Sequence, residues 1–444
     1  MKTTTKKLSF FIFDVLSFYF ALFLSLLIRN TESFNWQLFK LHLWPFSFLL
    51  LFGLIVFYIV GLYDLRKFRR RMQRVKLFLT GIILFSVLAI LFFYLLPYFD
   101  IAPKTILVLL IIIFGVLIFS FREFLCKHYL QSSPLMGVCI IGKGRDAEEL
   151  VSCLTDNPQL GYKVLHWVHD LDLEVIKSLI GNGGYDVLVI PASLKSDRDM
   201  AERIYKQLLR GVEISSFSEF YEAIMGKVSI DELEESWFLD KIRPRNGLYI
   251  IAKRIEDSIL AFIVLIITIW IWPLIILLIK ASSKGPAFFL NKRVGRKEEI
   301  FTLFKFRTMS VGSDEFKKVG TEFGVVENDG RVFRIGKILR KVRADELPQV
   351  INILRGELSF VGPRADFVDF YKLLKEKIPH YQIRTVIAPG LTGWAQVQDK
   401  YGSSVDEAIE RLAYDIYYVK NRSFVLDLLI VLKTLKTILT FAGK

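Results

Sequence analysis

Asp345 and Glu346 stand side by side in residues 340–364, a stretch that also carries Arg340 and Arg343 and closes on Val361-Gly362-Pro363-Arg364. Two adjacent carboxylates among arginines, followed by a Gly-Pro-Arg turn, form a composition suited to handling phosphate. Pro348 fits the first turn of a helix, where its missing N–H costs nothing. That predicts the two carboxylates at or just before a helix N-terminus, whose free backbone N–H groups attract anions. Arg340, Arg343 and Arg364 together can neutralise a diphosphate, and a guanidinium matches phosphate oxygens in pairs better than an ammonium does. In isolation the same Asp-Glu pair would read as a helix cap among surface arginines.

Phe304-Lys305-Phe306-Arg307 alternates apolar and basic residues, the pattern of a strand with one face of each kind. The basic face could serve a nucleotide or a lipid phosphate, or simply be solvated. Trp394, in Gly390-Leu391-Thr392-Gly393-Trp394, could stack on a base or sugar, although a packed tryptophan is the commoner outcome.

The elements that must position these residues are partly membranous. The chain has 444 residues, is 53% hydrophobic and carries a formal charge of +14, with a mean hydropathy of +0.40; this is too apolar for an ordinary soluble protein. The positive charge would suit anionic lipid, phosphorylated substrates or nucleic acid, and part of it is explained by basic residues flanking membrane segments. Cys126, Cys139 and Cys153 form no Cys-x-x-Cys pair, and His166 and His169 lack a third ligand nearby, so neither a disulfide framework nor a zinc site is indicated. Apolar runs at 8–28, 44–63, 75–96 and 106–125 each approach the ~20 residues needed to cross a bilayer. Lys2, Lys6 and Lys7 precede the first, and Arg66, Lys67, Arg69, Arg70, Arg71, Arg74 and Lys76 crowd the second connection, which places both ends of a four-helix domain (1–130) in the cytoplasm. Ile28-Arg29-Asn30 is no cleavage site, so the first run reads as a retained span. Asp14 inside that run would be either an ion relay or, as read here, a polar contact within the bundle.

From residue 131 to 223 short apolar runs (138–141, 163–165, 186–190, 212–214) alternate with polar helical stretches, which predicts a small Rossmann-like parallel α/β domain. Gly142-Lys143-Gly144, with Asp170 or Asp172 downstream, resembles a dinucleotide-binding turn, but any tight strand-to-helix junction uses such glycines. A connector (224–252) leads to a fifth apolar run, 258–279, flanked by Lys253 and Arg254 before it and Lys280 and Lys284 after it. Both flanks favour the cytoplasm. Trp272-Pro273 within the run removes a helix hydrogen bond and bends the chain, so the run is expected to enter the inner leaflet and return. Helices are expected at 332–340 and 350–354, and an amphipathic helix at 424–441 that either lies on the membrane or packs against the protein.

From Lys253 onward the chain resembles the bacterial polyprenyl-phosphate hexose-1-phosphate transferases, the monotopic phosphoglycosyl transferases. The matching blocks are Lys253-Arg254 with Asp257, Gly285-Pro286, Arg293-Val294-Gly295, 304–309, Asp345-Glu346-Leu347-Pro348-Gln349, Asn352, Gly356, Ser359, 361–364 and 389–396. The four-helix and α/β regions match the larger members in layout, similar to undecaprenyl-phosphate galactose or glucose phosphotransferases. Asn291, Ala344 and Gly330 depart from the usual residues without touching the carboxylates or arginines.

The resemblance implies a membrane α-helical bundle plus α/β architecture, ending in a mostly α-helical catalytic domain over 253–444 that contains the re-entrant helix. It implies transfer of a hexose-1-phosphate, glucose or galactose, from a UDP-sugar to undecaprenyl phosphate with release of UMP, as the first membrane step of exopolysaccharide, capsule or O-antigen synthesis. Asp345 would be the nucleophile and Glu346 would hold Mg²⁺ with it, although chemistry alone permits either order. Arg340, Arg343, Arg364, Lys305, Arg307, Gln349, Gly362 and Pro363 would bind phosphate or substrate. Trp272, Pro273, Lys253, Arg254 and Asp257 would form and anchor the membrane break, with Lys253, Arg254, Lys280 and Lys284 drawing in the lipid phosphate. The expected setting is the bacterial inner membrane with the catalytic domain facing the cytoplasm. Expected partners are the bilayer, a homodimer mate and downstream glycosyltransferases, with no nucleic acid. The rival reading is a membrane-tethered nucleotide sensor or oxidoreductase working through the α/β domain, for which no hydride-transfer residues are found.

Overall fold

The computed structural model describes residues 2–31, 34–63, 71–95, 104–131, 135–169, 173–191, 194, 197–230, 242, 247–310, 331–398 and 405–439. Asp170, Asp172, Gly330 and most of the basic second connection lie outside them. The chain divides into two compact units, Met1–Phe220 and Tyr221–Lys444. Five helical segments are long and apolar enough to cross a membrane, and this is a membrane protein with some parallel sheet.

The first unit opens with four long helices: α1 (Lys2–Arg29), α2 (Trp36–Val60), α3 (Arg71–Leu95) and α4 (Lys104–Gln131). Their shared core is aromatic and aliphatic, with Phe18, Leu22, Phe46, Phe57, Phe85 and Phe114 almost fully buried. α2 begins eight residues before the apolar run because Asn35 caps it, accepting the Leu38 N–H at 2.9 Å. Asp14 makes a polar contact whose partner is not apparent in the sequence. It meets Arg122 of α4 at 2.6 Å and accepts from the Tyr63 hydroxyl at 2.6 Å, while Arg122 also donates to the Leu62 carbonyl. Asp14 and Arg122 are both buried, so removing one member strands the other. Asp14→Leu should lower stability in detergent by about 3–5 kcal/mol, and adding Arg122→Leu should restore most of it; thermal melts of the three proteins check this.

Beyond the helices, β1 (Met136–Ile141), β2 (Tyr162–Val168), β3 (Val187–Ile190) and β4 (Glu213–Ser216) pair in parallel in the order β2-β1-β3-β4. Helices α5 (Arg145–Asp156), α6 (Leu173–Asn182), α7 (Arg198–Leu209) and α8 (Phe217–Met225) follow the strands. The two central strands, β1 and β3, are near-continuous apolar runs because helices cover them, as with Cys139, Ile141, Leu188 and Ile190 packed on Ile176, Ile180 and Ile204. The Gly142-Lys143-Gly144 turn joins β1 to α5, and Gly144 has φ +85°, a conformation that suits glycine. A Cβ on Gly142 would lie 3.2 Å from the Phe217 ring and 3.6 Å from Ala147, so close packing alone accounts for that glycine.

The second unit is built on α9 (Gly247–Thr268), a 3₁₀ turn at Ile269–Ile271 and α10 (Trp272–Ser282), with Pro273 in the first turn of α10. An antiparallel hairpin follows, β5 (Phe288–Val294) and β6 (Ile300–Phe306). Then come α11 (Arg334–Lys341), a 3₁₀ turn at Ala344–Glu346, α12 (Gln349–Arg355) and β7 (Ser359–Val361). The remainder comprises α13 (Val368–Lys377), a 3₁₀ turn at Tyr381–Thr385, β8 (Gly390–Thr392) parallel to β7, α14 (Val405–Asn421) and α15 (Phe424–Leu439). Helices thus dominate, but the expected mostly helical domain also holds two small sheets, the β5–β6 hairpin and the three-residue pair β7 and β8.

One core joins Ala261, Trp272, Ile275 and Ile279 of the apolar helices to Phe301, Phe306, Leu339, Val350 and Ile353. The opposite side of α9 and α10 exposes Ile259, Phe262, Ile267, Trp270, Leu274 and Leu277. α15 divides similarly: Ile430 is fully buried, while Val425 and Leu428 are exposed. The helix thus packs against the protein on one side and presents apolar surface on the other.

Candidate active site

The carboxylates sit in the Ala344–Glu346 3₁₀ turn just before α12, which starts at Gln349 and is only seven residues long. Helix dipole is therefore a minor influence, and side-chain cations take its place. α11 ends at Lys341, and Arg343 adopts φ +55°, a reversal that swings the turn back over β6. Asn352, fully buried on α12, fastens that arrangement: it accepts from the Phe304 N–H at 3.0 Å and donates to the Thr302 carbonyl at 2.7 Å. Lys305 thereby faces the acidic pair and holds Glu346 at 2.9 Å, with Arg343 at 3.8 Å from its other oxygen.

The two carboxyls are driven apart in acidity. Burial, then the neighbouring Glu346 charge, pushes Asp345 up to about 6 against the pull of Lys305 and Arg340. Glu346 is also penalised by burial, but Lys305 and Arg364 outweigh this and hold it down at about 2. Such a pair has an ionised anchor and a neighbour whose charge is poorly compensated, and added positive charge would relieve that neighbour.

The remaining residues divide into those gathered at this pair and those engaged elsewhere. Lys305, Arg340, Arg343 and Arg364 are its electrostatic neighbours; Arg340 also donates to the Thr308 hydroxyl at 2.9 Å. Gln349 is buried next to the turn in sequence. Gly362 and Pro363 set the approach of β7 to β8: a Cβ on Gly362 would lie 2.6 Å from the Ala388 carbonyl oxygen, which requires glycine there. Arg307 falls just past β6 and donates to the carbonyls of Ser283 and Lys284, both at 2.7 Å, so it ties the exit of α10 to the domain.

Lys253 and Arg254 are likewise committed internally. Lys253 is 3.0 Å from Asp257 and 2.9 Å from Asp427, and Arg254 donates to the carbonyls of Ile353 and Leu354 at the end of α12. Asp257 also accepts from the Ser359 hydroxyl at 2.7 Å, whereas Lys280, Lys284 and Pro273 are exposed. Trp394 is packed, donating to the Gly226 carbonyl and covered by Lys433.

Sequence reasoning left Arg293 out of the candidate set. It is buried on β5, lies 3.4 Å over the Phe367 ring and is pulled down to about 9 by burial and by Arg364. Its place in the Arg293-Val294-Gly295 block was the available signal. Among the described residues no three His, Cys, Asp or Glu side chains cluster as a ready metal cage. A Mg²⁺ site of one or two carboxylates completed by substrate phosphates needs none, and the undercompensated Asp345–Glu346 pair fits that donor set.

A profile described as bacterial sugar transferase matches residues 248–441, the span holding all of these side chains. The chain is 37% identical over 268 residues to the UDP-N-acetylgalactosamine-undecaprenyl-phosphate N-acetylgalactosaminephosphotransferase of Aeromonas hydrophila, covering 60% of this chain and 61% of that protein. It is 36% identical over 325 residues to a UDP-glucose:undecaprenyl-phosphate glucose-1-phosphate transferase of Xanthomonas campestris pv. campestris, covering 69% and 62%. The chain thus spans about three-fifths of the length of these two relatives. A shorter relative, the exopolysaccharide production protein PSS of Rhizobium leguminosarum bv. phaseoli, is 38% identical over 169 residues, which are 83% of its length. With the profile falling on the unit that carries the paired carboxylates, this chain belongs to the bacterial sugar transferase family.

Proposed function

We propose that this chain is a phosphotransferase that moves a sugar-1-phosphate from a UDP-sugar to undecaprenyl phosphate through a phosphosugar-aspartyl intermediate. The observation that carries the reading is the Asp345–Glu346 pair ringed by Lys305, Arg340, Arg343 and Arg364 within the family-matched region. A carboxylate oxygen of Asp345 attacks the phosphorus next to the sugar; the bond from that phosphorus to the bridging oxygen breaks, and UMP leaves with the electron pair. An oxygen of the lipid phosphate then attacks the same phosphorus, the aspartyl oxygen departs, and the lipid carries a diphospho-sugar. Splitting the transfer in two lets each anion approach a neutralised phosphorus separately. Lys305 keeps Glu346 ionised, while Arg340 and Arg364 offset charge on the phosphate oxygens. Asp345 and Glu346 would hold Mg²⁺, which would supply charge neutralisation at the diphosphate.

In the same reading, α9 and α10 form a re-entrant pair that leaves the carboxylates at headgroup height on the cytoplasmic side of the bacterial inner membrane. Two observations support it. Gly247–Ser282 covers 36 residues, which as one straight helix would be about 54 Å long against a hydrocarbon core of ~30 Å. In addition, Arg254 near one end binds Ile353 and Leu354, Asn352 beside them binds Thr302 and Phe304, and Arg307 binds Ser283 at the other end. Both flanks of the run are thereby tied to the same folded unit, as a segment that returns to its side of entry requires.

The hexose is proposed as glucose or galactose, and the names of the relatives put N-acetylgalactosamine in the panel to be tested. Purified protein with Mg²⁺, undecaprenyl phosphate and radiolabelled UDP-sugars should give a lipid-linked product and release UMP. No product with any common nucleotide sugar would end this proposal.

A further inference from the structure

The turn that carries Arg364 is held at four successive residues. Gly362 donates its N–H to the Thr392 carbonyl at 2.9 Å, and the Pro363 carbonyl accepts from Gly390 at 2.8 Å. The next two carbonyls are each taken by a buried arginine from a distant part of the chain. Arg384 donates through Nη2 to the Arg364 carbonyl at 3.0 Å, and Arg293 donates through Nη1 to the Ala365 carbonyl at 3.0 Å. Arg384 is only 3% exposed and Arg293 8%.

Burying a guanidinium is costly unless it is well paired. Arg384 is paired: it meets Asp366, the Tyr381 hydroxyl and, at 2.8 Å, Asp415. Arg293 makes no ion pair among the described residues and rests instead on the Phe367 ring. It also stands beside another cation, since the Arg364 charge helps to depress its proton affinity. Packing alone would be served more cheaply by an apolar side chain at this position. What Arg293 and Arg384 have in common is the backbone at Arg364, whose charge acts on Glu346, and at the residue that follows it.

We propose that Arg293 and Arg384 are positioning residues, a pair of buried guanidinium clamps on the Arg364–Ala365 backbone that present the Arg364 side chain to the phosphate site in one pose. The inference rests on the reading of Arg364 as a phosphate ligand given above. Lysine cannot reproduce the planar fork that reaches a carbonyl while holding its other partners, so Arg→Lys keeps the charge and removes the clamp.

The test is a double-mutant cycle on the full-length protein in detergent. Arg293→Lys and Arg384→Lys are each made with Arg364 intact and with Arg364→Lys, and UMP release is followed in single turnover. Each lysine variant should lower kcat/KM by about tenfold or more with Arg364 present and by less than about threefold in the Arg364→Lys background. Equal losses in both backgrounds, or no loss with Arg364 intact, would overturn the inference. Arg384→Lys risks leaving Asp366 and Asp415 poorly paired; if it fails to fold, Arg293→Lys, which strands no carboxylate, decides the question. Calorimetric binding of inorganic pyrophosphate gives a second readout without turnover. Affinity should fall about tenfold in each clamp variant, and hardly further once Arg364 is lysine. If the parent cleaves no nucleotide sugar, the transferase reading fails while the pyrophosphate cycle still judges the clamps. A parent that binds no pyrophosphate rejects them.

Discussion

Asp345→Asn should reduce formation of the lipid-linked product by about 10⁴-fold or more and abolish the labelled phosphosugar-protein adduct, because the attacking oxygen is removed. The same substitution should make the protein more stable. Asp345 is held at about 6, above the ordinary 3.8, so the folded state retains this proton more tightly than the unfolded chain. Stability from this group is therefore complete below the ordinary value and declines as pH rises from about 4 to about 6. Above that window the ionised side chain carries a penalty of up to roughly 3 kcal/mol, which asparagine does not share. Melting of EDTA-treated parent and variant from pH 4 to 8 should show the curves together at the acid end and the variant higher by several degrees above pH 6. A variant that still forms adduct at the parental rate would displace Asp345 from the mechanism. One that is inactive but no more stable would show that its charge is not under strain.

Lys305→Met should lower kcat/KM by roughly 10²–10³-fold and move the acid limb of the pH–rate profile upward by about one unit. Lys305 is the leading cation for both carboxylates, bonded to Glu346 at 2.9 Å. Without it Glu346 is less readily ionised, and Asp345 must lose its proton beside a charge that is compensated only by arginines. Activity lost at pH 6.5 should accordingly recover in part at pH 8.5, which a simple loss of substrate binding would not produce. A profile displaced downward by the same factor at every pH would assign Lys305 to binding alone.

The parts of the site legible in the sequence are those where local pattern and chemistry coincide. The alternation at Phe304–Arg307 predicted a strand, and β6 ends at Phe306. The carboxylate pair alone would have read as a helix cap among surface arginines, and it stood out only through the ordered blocks that surround it. Composition could not say which cations face the site. Lys305 and Arg307 share a face by periodicity, yet one side chain reaches Glu346 and the other the carbonyls of Ser283 and Lys284; that difference depends on where α10 ends in space. Asp257 is a local partner of Lys253, but Lys253 and Arg254 still looked available to lipid phosphate because their other partners, Asp427, Ile353 and Leu354, are about 100 or more positions away. Arg122 was hidden for the same reason: nothing near it in the chain announces Asp14. The Asp345–Glu346 pair was expected at or just before a helix N-terminus through Pro348, and it lies just before one, in a 3₁₀ turn of its own that follows the left-handed Arg343.

The two hydrogen bonds from Arg254 to the last carbonyls of α12, with Asp257 accepting from Ser359, make the apolar α9–α10 segment a structural beam of the second unit. Trimming the chain to begin after residue 284 in search of a water-soluble enzyme would leave those carbonyls bare and the core around Phe306 and Ile353 uncovered. A soluble version would have to keep α9 and α10 and repaint their outward residues, such as Ile267, Trp270 and Leu277, with polar side chains.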